Sequence, residues 1–226
     1  MAVYLGTLIN KHFSTPEKAD EKAPETAKTH SAALEVFSRT GKLSQDHFDW
    51  SKNLNPSYAL FNCQRTCLAT ARFLETGSAE SVTVIPRIVR SVSELTEEIF
   101  PEMRANRDFA YFEGTRAQLE DIMQLLGKGT HAIIHGNSSR YTGHLFNYAY
   151  YETEQGKCRF DIVDSYGGSY RRMGLEQPDA YFSRYRPTLR CAIFYNDTKI
   201  NRTKLVLDDD KRIVSYFKPQ IELAID

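Results

Sequence analysis

The sequence predicts an α+β domain with an antiparallel sheet, and three observations lead there. Helical periodicity dominates the chain from about residue 30 to residue 127. Beyond that point HAIIHG, GHLFNYAYYET, KCRFDIVDSYGG, TLRCAIFYND and RIVSYF are rich in Ile, Val, Phe and Tyr, with Gly, Asn, Asp and Ser between them. Helices first and strands afterwards is the order of an α+β domain, not of alternating βαβ units.

The first 29 residues stand apart from that domain. MAVYLGTLINKHF is apolar but short, with no basic leading region and no small-residue cleavage site, so it does not read as a secretion leader. The chain is expected to be made in the cytosol, with any export by another route. Residues 15–29, TPEKADEKAPETAKT, hold no aromatic or large aliphatic residue, so burial cannot offset the entropy of ordering them. The expected organisation is a flexible segment over 1–29, suited to docking or delivery, and one folded domain over 30–226.

Within the domain, HSAALEVFSRTGKL sets Ala33, Leu34, Phe37 and Leu43 at roughly helical spacing, broken at Gly41. FNCQRTCLATARFLETG predicts a helix that begins after Asn62, runs to about Glu75 and stops at Gly77. SVSELTEEIF opens with a capping box, Ser91 and Glu94. In GTRAQLEDIMQLLGKG, Thr115 and Gln118 form a second one, Leu119, Ile122 and Leu126 share a face, and Gly127 ends the helix.

Charge narrows the function. Twenty-nine basic residues cancel 29 acidic ones, so no net field draws the protein to nucleic acid or anionic lipid. No window reaches the ~18 apolar residues of a membrane span.

The chemistry-bearing candidates are two cysteines four apart. With His131 and His135, Cys63 and Cys67 superficially resemble a zinc site, yet HAIIHG reads as a strand. Four strand residues separate the two histidines by about 13 Å, too far for one ion, so no metal is expected. A disulfide between Cys63 and Cys67 is geometrically poor, because side chains at i and i+4 point the same way. Cys158 and Cys191 are expected to pack as small apolar groups. Cys63 follows a good N-cap, Asn62, and sits where unpaired amides and the helix dipole lower a thiol pKa. Cys67 lies one turn deeper, aligned with Ala71 and Leu74, and reads as structural. At this point Cys63 is either a nucleophile or ordinary packing.

A nucleophilic thiolate needs a base and an orienter for that base. His12 precedes the linker, His30 and His47 belong to the helical front, and His131 and His135 flank Ile133–Ile134. His144 follows the polar run GNSSRYTG and opens a strand that turns near Glu154–Gly156 and returns as KCRFDIVD. Counting from the turn, His144 and Asp164 fall within about two residues of opposition. The plainer alternative is a surface His and a turn-forming Asp.

NPSYALFNCQRTCLATARFLETG, then GHLFNYAYYETEQGKCRFDIVDSYGG, then LRCAIFY resemble the papain-fold toxin (Tox-PL) family, cysteine-dependent protein glutamine deamidases of bacterial effectors and polymorphic toxins. The shared pattern is Asn-Pro, Asn-Cys with a second Cys four on, a helix ending in Gly, Gly-His opening a strand and Asp-x-x-Gly closing the next. It covers residues 55–196. The resemblance implies a papain-like cysteine hydrolase fold, its helical front packed on the antiparallel sheet, and a catalytic triad of Cys63, His144 and Asp164. It implies no cofactor. Where many members carry Gln two residues after the Asp, Asp164 is followed by Ser165 and Tyr166. Asn62, the Cys63 amide and Ser165 are therefore the candidates for oxyanion and substrate positioning.

The implied reaction converts a target-protein Gln to Glu through a thioester. The implied protein is made in a bacterial cytoplasm and secreted or injected into the target-cell cytosol. Its partners would be a protein substrate and an immunity protein or secretion chaperone. The same triad could serve a cysteine protease or a transglutaminase, and a related amidase would need delivery to the cell wall. A non-catalytic binding module on the same fold would use the Tyr-rich strands YAYY and SRYRP for contact.

Overall fold

The computed structural model describes residues 36–44, 54–55, 63–77, 108–137, 143–164, 178–196 and 198–217. The expected linker over 15–29, the Ser91–Glu94 box, Asn62, Ser165, and His12, His30 and His47 lie outside the described residues.

The centre of the protein is a five-stranded antiparallel sheet. Its strands are β1 (Asp108–Thr115), β2 (Thr130–Gly136), β3 (His144–Glu152), β4 (Cys158–Val163) and β5 (Thr188–Tyr195). They lie in the order β1-β5-β2-β3-β4, and every pairing is antiparallel. The α+β reading with an antiparallel sheet therefore holds. β6 (Leu205–Leu207) and β7 (Ile213–Tyr216) form a separate two-stranded ribbon. Among the described residues the helices are α1 (Phe37–Thr40), α2 (Cys63–Thr76), α3 (Arg116–Leu126), α4 (Pro178–Phe182) and α5 (Lys199–Lys204).

Both faces of the sheet are covered, which is why β2 and β3 read as nearly unbroken apolar runs rather than as alternating strands. On one face α3 presents Leu119, Ile122, Met123 and Leu126 to Ile134, Phe146, Tyr148 and Ile193. On the other, α2 packs Cys67, Leu68 and Ala71 against Ile133, Leu145, Ala192 and Phe194. A smaller cluster of Phe37, Leu43, Leu74, Ala149, Tyr151 and Val163 seals the α1 end.

Local signals explain the helix ends. Thr115 accepts from the Gln118 amide while the Gln118 side chain takes the Thr115 amide, so the second capping box forms. α2 stops where the Gly77 amide bonds Phe73 O at 2.8 Å with a φ of 71°. Of the first helical stretch only Phe37–Thr40 is helical among the described residues, ending at Gly41 with a φ of 66°.

Three expectations need correcting. Strands do not all follow helices: β1 precedes α3, because DFAYFEGT pairs along its whole length with β5, more than 70 residues later. SRYRP is not a strand but lies in the turns between α4 and β5. Cys158 is exposed at the start of β4 rather than packed, whereas Cys191 is buried as expected.

Candidate active site

The sheet carries its chemistry at one end, where β2 finishes, β3 begins and β4 finishes. β3 and β4 are joined by a hairpin whose turn bonds Thr153 N to Lys157 O at 2.8 Å. Its register sets Asn147 opposite Val163, so Asp164 follows two places from the level of His144. His144 Nε2 and Asp164 Oδ2 are 2.9 Å apart. Both side chains are mostly buried yet keep some surface, 18% and 14% respectively.

α2 brings the third group. Its buried stripe fixes the helix over the sheet, and Cys63, its first residue, projects beyond that stripe to the head of β3. There the thiol is hydrogen-bonded to the His144 ring and to the backbone N–H of Leu145. With Nε2 directed at Asp164, Nδ1 is the ring nitrogen left for sulfur. The structure thus brings Cys63, His144 and Asp164 together in one hydrogen-bonded series.

The electrostatics of that series are those of a charged pair. Burial pushes the Cys63 thiol up, and the Asp164 charge adds to this. The hydrogen bonds from His144 and Leu145, with the positive charge of His144, outweigh both and leave the thiol below its ordinary value. Burial likewise favours neutral His144, but its bonds to Asp164 and Cys63 hold the imidazolium up to about 9. Thiolate and imidazolium therefore stabilise one another between those two limits. Cys67 behaves oppositely. Full burial, followed by the negative charges of Asp164 and Cys63, drives its thiol well above the ordinary range.

Two glycines stand at this end of the sheet. A side chain at Gly143 would overlap His135 Nε2, so the residue before His144 must lack a Cβ for β3 to start there. Gly136 lies under the Tyr185 ring, where a Cβ would come 2.7 Å from Cδ1. His135, beside them, has its pKa lowered by burial and by the charges of Arg190 and His144.

Reading the sequence alone did not single out Tyr181 or Tyr185. The Tyr181 hydroxyl donates to Asp164 Oδ2 at 2.6 Å. Tyr185 reaches the Tyr181 hydroxyl and lies close enough to Cys63 and Asp164 to feel both charges. Tyr181 and Tyr185 stand four apart just after Pro178, but nothing in that spacing points to Asp164. Of the remaining candidates, His131 is committed to Glu75 at 2.6 Å. Among the described residues no cluster of three or more His, Cys, Asp or Glu side chains could hold a metal ion, and no helix is long and apolar enough to cross a membrane.

No protein-family profile matches the chain, and no curated protein sequence does. Among solved structures, a variant of the Salmonella effector SpvD superposes with a TM-score of 0.46 at 11% sequence identity, covering 79% of this chain and 96% of that one. Likeness at that level assigns neither a family nor an activity.

Proposed function

We propose that the protein is a cysteine-dependent hydrolase of amide bonds, on a papain-like arrangement, and that its reaction is deamidation of a glutamine in a target protein. The observation that carries this reading is the series Cys63–His144–Asp164. A thiol at a helix start is held below its usual pKa by an imidazole whose other nitrogen meets a carboxylate at 2.9 Å. A buried structural thiol has no use for such a partner, as Cys67 shows.

The chemistry follows from the roles. The Cys63 thiolate attacks the side-chain carboxamide carbon and forms a C–S bond. The negative charge that develops on oxygen falls to the backbone amides at the start of α2, the Cys63 N–H first among them. Imidazolium His144 gives its proton to the departing nitrogen, and ammonia leaves as the thioester forms. Neutral His144 then takes a proton from water, whose oxygen attacks the thioester carbon; the C–S bond breaks and sulfur leaves as thiolate. Asp164 keeps the ring oriented and offsets its charge throughout. The product replaces a neutral amide with a carboxylate, enough to break a buried hydrogen bond in the target. The resemblance in the Asn-Cys, Gly-His and Asp-x-x-Gly motifs supports a bacterial effector acting inside another cell, with a protein as its substrate.

The test is expression of the protein and of Cys63→Ala in a susceptible cell, followed by proteome comparison by mass spectrometry. A glutamine converted to glutamate only with intact Cys63 is expected. New peptide termini would make the enzyme a protease, and glutamine–amine adducts a transglutaminase. No Cys63-dependent difference, with expression verified, would overturn the reading in favour of a binding module.

A further inference from the structure

Asp164 is shared. Its Oδ2 receives His144 Nε2 at 2.9 Å and, on the same atom, the Tyr181 hydroxyl at 2.6 Å. The tyrosine is buried, at 4% exposure, and packed among aromatic neighbours. Its ring meets Phe146 edge-on at 4.9 Å and lies 5.7 Å from Tyr185, with the Arg184 guanidinium over it at 5.1 Å. The short helix that bears it is tied to α3 by the Arg116–Asp179 ion pair and by Arg116 lying 5.0 Å over Phe182. Phe146, in turn, stacks on both His144 and Tyr185. One aromatic block therefore contacts the base and the residue that holds the base's carboxylate.

From this geometry we infer that Tyr181 is a positioning residue of the site, one that locks the Asp164 rotamer and, by competing with His144 for a single carboxylate oxygen, sets how firmly His144 holds its proton. The inference rests on the reading of Cys63, His144 and Asp164 as a working series. A hydroxyl donated to a carboxylate draws charge from it and so weakens its hold on a second donor at the same atom. Among the described residues, Cys63 from α2, His135 from β2 and, through Asp164, Tyr185 also bear on His144. None of these donates to Asp164 Oδ2 in the way Tyr181 does.

The sign of the effect is what separates this role from simple packing. Removing the hydroxyl should strengthen the Asp164–His144 attraction, and strengthening the phenol as a donor should weaken it. The experiment uses the full chain and the pH profile of Cys63 alkylation by iodoacetate, an anionic reagent favoured by the neighbouring imidazolium. The alkaline limb of that profile reports loss of the His144 proton, expected at about pH 9 in the wild type. Tyr181→Phe is expected to move the limb upward by about half a pH unit, the size of one modest hydrogen-bond difference. Incorporation of 3-fluorotyrosine at position 181 makes a more acidic phenol and should move it downward. Burial and the charge of Asp164 hold that phenol well above its ordinary pKa, so it stays protonated through the range.

Opposite shifts establish the role. A limb that stays in place in both variants, or moves the same way in both, overturns it, whatever happens to Tm. If Tyr181→Phe fails to fold, the fluorotyrosine protein decides alone: a downward shift supports the inference, and no shift or an upward one defeats it. A wild-type profile without any limb that His144→Ala removes would instead overturn the Cys63–His144 series itself, a result distinguishable from failure at Tyr181.

Discussion

The same sheet carries two histidine–carboxylate pairs, and helix α2 touches both. Near the end of α2, Glu75 meets His131 at 2.6 Å, and the imidazole is completely buried and stacked on Phe194 at 4.9 Å. At the start of α2, Cys63 meets His144, which pairs with Asp164 at 2.9 Å and keeps part of its surface in water. Chemically the pairs are alike; their surroundings differ. His131 sits fully buried in mid-core between Phe37 and Phe194. His144 sits at the sheet end, with a thiol on one ring nitrogen and a carboxylate on the other. A carboxylate–imidazole pair is thus a general device, and its position relative to a helix start decides whether it can hold structure or can do chemistry.

The largest effect should come from removing the base. His144→Ala is expected to lower the rate of the Cys63-dependent reaction by about a thousandfold, the scale of positioned acid–base catalysis. It should also return the Cys63 thiol toward its ordinary pKa, visible as an acid limb of alkylation displaced to higher pH. Reactivity at neutral pH that survives the substitution would mean that the helix start alone activates sulfur, and the comparison would lose its chemical half.

The structural half should respond in stability instead. Glu75→Ala leaves a buried imidazole without its carboxylate, and breaking a buried pair from one side costs about 3–5 kcal/mol when the remaining partner stays charged. Leaving one buried polar group without its partner is expected to cost about 2–3 kcal/mol, read by urea denaturation. Alkylation of Cys63 in the folded fraction should be unchanged. Replacing both partners, Glu75→Leu with His131→Phe, should recover much of the loss if the pair serves packing alone. A double variant no more stable than the single one would show that the pair specifies how α2 docks.

How much of this could be read from the chain depends on the range over which each feature is fixed. α2 and α3 were legible because their signals are local: a stop at Gly77, a box at Thr115 and Gln118, and stripes that reappear as Cys67–Ala71 and Leu119–Ile122–Leu126. The approach of His144 to Asp164 was legible because both lie on one hairpin with a short turn, where counting residues substitutes for tertiary knowledge. β1 was missed because its partner β5 stands more than 70 residues away, and strand formation there depends on pairing that no local window records. Tyr181 was missed for the same reason. Its tie to Asp164 is made by the fold bringing α4 against the end of β4, not by spacing. Cys158 was misjudged because it starts the edge strand β4 at its hairpin end, where Arg159 is exposed too and burial begins only at Asp161.

A smaller effect separates the two pairs by pH. The folded pKa of His144 is raised to about 9 from an ordinary value near 6.5. Its charged form therefore contributes stability that is fully present below about pH 6.5 and is lost as pH rises through about 9. The stability difference between wild type and His144→Ala, measured by urea denaturation at pH 6 and again at pH 10, should shift against the wild type at the higher value. A difference independent of pH would mean that the Cys63–His144 pair is neutral in the folded protein.

The smallest effect should fall on the second cysteine, and it sharpens the contrast within α2 itself. Cys67 lies one turn past Cys63 and is buried at 2% exposure among Leu68, Ala71, Ile133 and Leu145. Full burial and the charges of Asp164 and Cys63 raise its thiol, whereas Cys63 is lowered by its hydrogen bonds to His144 and the Leu145 amide. Cys67→Ala removes one buried sulfur and should cost about 1 kcal/mol, little more than a buried methylene. In a Cys158→Ser background, which removes the exposed thiol of β4, the alkylation profile should remain that of Cys63, because a buried neutral thiol does not compete for reagent. A lost or displaced acid limb in Cys67→Ala would show that the second sulfur shapes the first one's environment, and the two cysteines would then have to be treated as one unit.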